Sequence, residues 1–158
     1  MYFLHRRGIM RTIAILNNKG GVGKTTSTVN IAAAMQILGK KVLVIDIDHQ
    51  AQATYHFGLS ASDVKFTIFE ALKGEVSFDD AKIDRNGIDI LPSKNDLKDL
   101  DFLPFPAKEF LLKEVMEKVK GYDYVLIDCP PSLGILTLNA LTYASEIKIG
   151  RASCRERV

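Results

Sequence analysis

Asn18-Lys19-Gly20-Gly21-Val22-Gly23-Lys24-Thr25-Thr26 decides how the rest of the chain is read. It follows Thr12-Ile13-Ala14-Ile15-Leu16, an apolar run that reads as a buried strand, and precedes residues 27–38, where apolar side chains recur at helical spacing. Strand, glycine-rich loop and helix is the setting that a phosphate-binding loop requires. The glycines let the backbone approach phosphate oxygens without a Cβ in the way. Inward-turned N–H groups form an anion-binding concavity, and the helix points its positive dipole end at the same place. The N–H groups of Gly20, Gly21, Val22, Gly23, Lys24, Thr25 and Thr26 make the cradle. Lys24 supplies charge for β- and γ-phosphates, the Thr25 hydroxyl is placed to ligate Mg²⁺, and Thr26 is placed for the α-phosphate.

The general pattern has a glycine with four residues between it and the Gly-Lys pair; here that position is Asn18, and Lys19 directly precedes the glycine pair. This variant resembles the deviant Walker A loop of the ParA/MinD/Soj family of ATPases. Val42-Leu43-Val44-Ile45-Asp46-Ile47-Asp48-His49-Gln50-Ala51-Gln52-Ala53-Thr54 resembles the family's second strand and first switch segment. Tyr124-Val125-Leu126-Ile127-Asp128-Cys129-Pro130-Pro131-Ser132-Leu133-Gly134 resembles its Walker B strand and second switch, and Leu138-Asn139-Ala140-Leu141 continues the pattern. The similarity runs from Met10 to Glu146 and is strongest to the Soj-like ParA chromosome- and plasmid-partition ATPases. Two departures stand out. His49 occupies the usual proline position, which frees the backbone and adds a titratable group beside Asp48, and Gln52 replaces the more usual asparagine.

Strand-like and helix-like segments alternate along the chain, which predicts an α/β fold: a mostly parallel sheet with helices on both faces. Strands are expected at 12–16, 41–46, 88–91 and 124–128. Helices are expected at 24–38, closed by Gly39, from the capping-box sequence at 67–70 to near Gly74, at 108–120 and at 136–144. Asn86-Gly87 signals a turn. The 108–120 segment is strongly amphipathic, with Glu109–Lys113 and Glu114–Lys118 at ion-pairing spacing.

The 158 residues are 47% hydrophobic and 25% charged, ordinary for one globular domain. No run reaches transmembrane length and no signal peptide is visible. Residues 1–9 read as a start-site extension ahead of Met10. Residues 10–148 read as the N-terminal part of a ParA-type ATPase domain, truncated before the later strands. Residues 149–158 fit neither strand nor helix periodicity and read as a translated sequencing adapter, not as protein. The formal charge is +2. Without Arg6, Arg7, Arg151, Arg155, Glu156 and Arg157 it falls to about −2, so the segment shows no basic nucleic-acid face. Cys129 is then the one cysteine of the domain, which excludes a disulfide framework and fits a reducing cytoplasm.

The resemblance implies an ATP- and Mg²⁺-dependent dimerisation switch. Lys19 reaches the nucleotide of the partner subunit in a homodimer. The intact protein binds DNA non-specifically through its missing C-terminal part, engages a ParB-like centromere-binding protein, and works in the bacterial cytoplasm, on the nucleoid, with no membrane. Asp48 lies just past a buried strand, where carboxylates of such sheets face a phosphate site, and is expected to orient the attacking water. Asp46 is two residues earlier and on the same side of the extended chain; it is assigned to Mg²⁺ support or to the loop lysine. Asp128 ends an apolar strand and is assigned to a Mg²⁺-bound water. The catalytic set is thus Lys19, Lys24 and Asp48, and the metal set Thr25, Asp46 and Asp128. Alternative readings are a MinD-like membrane-surface regulator, a biosynthetic P-loop synthetase, and an inactive fragment.

Overall fold

A computed structural model describes residues 10–149. The predicted extension at 1–9 and nearly all of the predicted tail at 149–158 lie outside the described residues. The described chain forms a six-stranded sheet in the order β3-β4-β2-β5-β1-β6. These strands are β1 (Arg11–Leu16), β2 (Val42–Asp46), β3 (Ile83–Arg85), β4 (Ile88–Leu91), β5 (Tyr124–Asp128) and β6 (Glu146–Ile149). All neighbouring pairs are parallel except the β3–β4 hairpin.

Strands β2 and β5 are central, and their continuous apolar sequences follow from burial on both faces. Leu43 and Ile45 of β2, with Val125 and Ile127 of β5, pack into one core. Val42 and Val44, with Leu126, pack into the other. The first core is closed by α3 (Ile68–Leu72), α5 (Leu111–Met116) and α6 (Ile135–Tyr143), and the second by α1 (Lys24–Ile37). The expected α/β sheet with helices on both faces is what forms. Two further short helices are α2 (Gln52–His56) and α4 (Phe78–Ala81).

Local chemistry sets the boundaries. Helix α1 ends in a Schellman motif: Gly39 has φ +74°, and the Lys40 N–H donates to Met35 O at 3.0 Å. The capping box at Thr67 is present, with Glu70 accepting from the Thr67 N–H at 2.8 Å. The Asn86-Gly87 turn has positive φ at both residues and closes the β3–β4 hairpin.

Two expectations change. Residues 108–120 do not form one helix. A 3₁₀ turn at Lys108–Phe110 precedes α5, which ends at Met116, and Ala107 ahead of it takes φ 49°. Neither i,i+4 ion pair, Glu109–Lys113 or Glu114–Lys118, forms within 4 Å. The break follows from Asn139, a fully buried amide that accepts from the Leu112 N–H at 2.9 Å and donates to Lys108 O at 2.7 Å. A tertiary partner thus takes the backbone groups that a longer helix would have used. The second change is at the last strand. Ile149, read from the sequence as the first residue of the tail, ends β6, because β1 supplies a parallel ladder up to Leu16–Ile149.

Candidate functional site

The loop after β1 is shaped by its glycines. Gly21 and Gly23 take φ +71° and +81°, and a Cβ on Gly20, Gly21 or Gly23 would meet nothing within 4 Å. The concavity is therefore open, and left-handed geometry explains the residue choice at Gly21 and Gly23. Gly23 caps α1, whose first residues are Lys24, Thr25 and Thr26. The loop begins with an Asx turn, the Lys19 N–H donating to Asn17 Oδ1 at 2.9 Å, and Lys19 is exposed. Lys24 is 9% exposed and reaches back over the loop to Lys19 O at 3.4 Å.

The end of β5 meets the start of α1. The Thr25 hydroxyl donates to Asp128 Oδ2 at 2.7 Å, and the Thr28 hydroxyl lies 3.0 Å from both Asp128 Oδ1 and Lys24 O. Burial pushes the Asp128 carboxyl above its ordinary range, against the two hydroxyls that stabilise its charged form. A desolvated carboxylate held on a loop hydroxyl fits a hydrated divalent cation with nucleotide oxygens as its other ligands. No group of three or more acidic, histidine or cysteine side chains placed to hold a metal by themselves occurs among the described residues.

The end of β2 lies alongside; Asp46 and Asp128 are register partners. Asp46 is fully buried and turned onto its own following segment. Its oxygens accept from the Thr54 N–H (2.8 Å), the Thr54 hydroxyl (2.7 Å) and the Asp48 N–H (3.2 Å). Burial, aided by the Asp128 charge, raises its pKa to about 7 despite these donors. Asp48 is 7% exposed and accepts from the Gln50 N–H at 2.9 Å. His49 Nδ1 sits 3.7 Å from Asp48 Oδ1, and Ala51 takes φ 54° in the turn leading to α2.

The structure brings Lys24, Thr25 and Asp128 together at one end of the sheet, with Asp46 beside Asp128 and Asp48 just beyond. Lys19 stands apart on the loop surface. Residue-by-residue reading missed Thr28, Thr54 and Asn139. The first two hold the site carboxylates in place. Thr28 lies one helical turn past Lys24, the spacing that puts it on the same face, and this was the available signal. Thr54 is eight residues from Asp46 and carries no local signal.

A parallel sheet with a glycine loop between β1 and α1, a buried loop lysine, and a strand-end aspartate on the loop threonine define a P-loop nucleotide-binding protein. A family model described as AAA domain matches residues 10–154. The chain is 40% identical over 144 residues to the sporulation initiation inhibitor protein Soj of Bacillus subtilis, covering 88% of this chain and 57% of that protein. It is 37% identical over 145 residues to the chromosome partitioning protein ParA of Caulobacter vibrioides, covering 87% and 54%. Among solved structures, a plasmid partition protein of Borrelia burgdorferi bound to AMPPNP superposes with a TM-score of 0.83 at 34% identity, covering 90% of this chain and 61% of that one. Cobyrinic acid a,c-diamide synthase of Mycobacterium smegmatis, with bound ADP and magnesium, superposes with a TM-score of 0.86 at 37% identity, covering 90% and 60%. The chain belongs to the AAA-domain P-loop ATPases of the ParA/Soj type. It spans little more than half the length of the curated relatives it matches. No helix among the described residues is long and apolar enough to cross a membrane.

Proposed function

We propose that the complete protein is an ATP-binding and ATP-hydrolysing dimerisation switch for chromosome or plasmid partitioning, cytoplasmic and nucleoid-associated. The observation that carries this reading is the contact between Thr25 and Asp128 at 2.7 Å, beside a buried Lys24 and two left-handed glycines. The similarity to Soj and ParA supports the partitioning role. When bound, Mg²⁺ neutralises charge on the phosphates. Thr25, through its hydroxyl, and Asp128, through water, would hold the ion. Lys24 presents a desolvated positive charge to the β- and γ-phosphates, where charge develops as the terminal phosphoryl group leaves.

Asp48 orients the attacking water. Asp46 contributes by fixing the backbone of that segment through Thr54 and the Asp48 N–H, and supports the metal through Asp128 beside it. Exposed Lys19 acts across a homodimer on the partner's nucleotide. Non-specific DNA and a ParB-like protein are the proposed partners of the intact protein. Full-length protein tests this: ATP with Mg²⁺ should drive dimer formation in sedimentation, and hydrolysis should reverse it. ATP-independent oligomeric state would overturn it.

The likeness to a diamide synthase favours one second reading, an ATP-dependent amide synthetase. Product analysis separates the two. The switch releases ADP and phosphate from ATP alone, whereas a synthetase turns over only with its carboxylate substrate and a nitrogen donor.

A further inference from the structure

The Asp46 carboxylate closes the segment after β2 into a ring. Its Oδ1 accepts from the Asp48 N–H at 3.2 Å, and its Oδ2 accepts from the Thr54 N–H and hydroxyl at 2.8 and 2.7 Å. Within the ring Asp48 folds a tight turn. Its Oδ1 accepts from the Gln50 N–H and its carbonyl from the Ala51 N–H, each at 2.9 Å. The position of Asp48 therefore depends on where the two ends of the ring are fastened.

The first end is fastened by the sheet: the Ile47 N–H donates to Asp128 O at 3.0 Å and prolongs the β2–β5 ladder. The second end is fastened by one hydroxyl. The Ser93 N–H donates to Thr54 Oγ1 at 3.0 Å. An N–H can only donate, so the Thr54 oxygen accepts there and its single hydrogen goes to Asp46. Ser93 N–H, Thr54 hydroxyl, Asp46 carboxylate and Asp48 N–H thus form one continuous chain of hydrogen bonds. Ser93 itself stands on a fixed frame just past β4. Pro92 O accepts from the Ile68 N–H at 2.8 Å, and Lys94 Nζ donates to Val64 O at 2.6 Å. Asp46, Thr54 and Ser93 are all buried, so water does not replace a deleted hydroxyl. Its removal leaves the Ser93 N–H unpaired and Asp46 one donor short.

We propose that Thr54 is a positioning residue for ATP hydrolysis: its hydroxyl ties the ring to the frame after β4 and so holds Asp48 where it orients the attacking water. The proposal rests on the ATPase reading above and deepens it. Lys24, Thr25 and the Asp128 side chain are held by contacts outside the ring, so ATP affinity and ATP hydrolysis should separate.

The test uses the full-length protein with Thr54→Val, which keeps the shape and loses the hydroxyl, and Thr54→Ser, which keeps the hydroxyl. Thr54→Val should lower kcat about tenfold or more, the worth of one buried hydrogen bond, while the calorimetric Kd for ATP stays within about twofold. Thr54→Ser should stay within about threefold of wild type in kcat. Amide hydrogen exchange in peptides covering 46–55 should be about tenfold faster in Thr54→Val and unchanged in Thr54→Ser. Equal kcat in Thr54→Val and wild type, a loss of affinity as large as the loss of kcat, Thr54→Ser as slow as Thr54→Val, or unchanged exchange would overturn the proposal alone. Absence of ATP hydrolysis by wild type would instead overturn the ATPase reading, and this proposal with it. Should Thr54→Val not fold, Thr54→Ala carries the same comparison; failure of both to fold would make the role purely structural and overturn the proposal.

Discussion

Lys24 and Asp128 illustrate how one loop turns burial into chemistry. Each is nearly withdrawn from water, and each is held by groups adjacent in the chain or across one strand pair. Lys24→Ala removes the desolvated charge and should abolish ATP binding by the complete protein, read by titration calorimetry. Lys19→Ala should keep that affinity and lose the ATP-dependent dimer in sedimentation. Asp48→Ala should bind ATP, hydrolyse it at least about a hundredfold more slowly, and accumulate as dimer; normal turnover would remove Asp48 from the water-orienting role. Asp46 makes a separate, pH-dependent prediction. Its pKa is raised by burial to about 7, so the folded chain keeps a proton that the unfolded chain releases at ordinary carboxylate pH. Its stabilising share is complete in acid and is lost as pH rises toward about 7. In denaturant titrations without nucleotide, wild type should therefore lose stability relative to Asp46→Asn between about pH 4 and about pH 7, and level off above that. A constant difference between the two would contradict this. At this scale the sequence was informative for Lys24, Thr25 and Asp128, whose motifs are local. It was silent on Thr54, whose role depends on where a turn returns the chain.

Elements form where local signals agree with tertiary partners. The capping box at Thr67 and the glycine at position 39 did what their chemistry predicts. Thr67→Ala should cost about 1 kcal/mol in chemical denaturation, with the fold intact. The hairpin strand β3 went unread although Ile83, Arg85, Ile88 and Ile90 flank a strong turn dipeptide; three residues are too few to show a period. The segment 108–120 was overread. Its apolar residues repeat at helical spacing, but Asn139 claims two of its backbone groups. No spacing within 108–120 encodes a partner some thirty residues away.

At the scale of the molecule, four of the five parallel strands and two faces of helices were legible because βα alternation leaves few topologies. The strand order was not, since order is set by which faces and edges remain to be covered. The outer edge of β6 has no strand beside it among the described residues, and Ile147 and Ile149 are 55% and 75% exposed. Such an edge is a template for pairing with another chain. The 158-residue chain by itself should therefore aggregate on heating, without a reversible cooperative transition, as followed by circular dichroism and light scattering. The central claim is a nucleotide seated where β1 passes into α1. Calorimetric titration of the complete protein with ATP and Mg²⁺ tests it most directly. The account predicts saturable binding that Lys24→Ala removes; no binding of adenine nucleotides to the folded wild-type protein would contradict it.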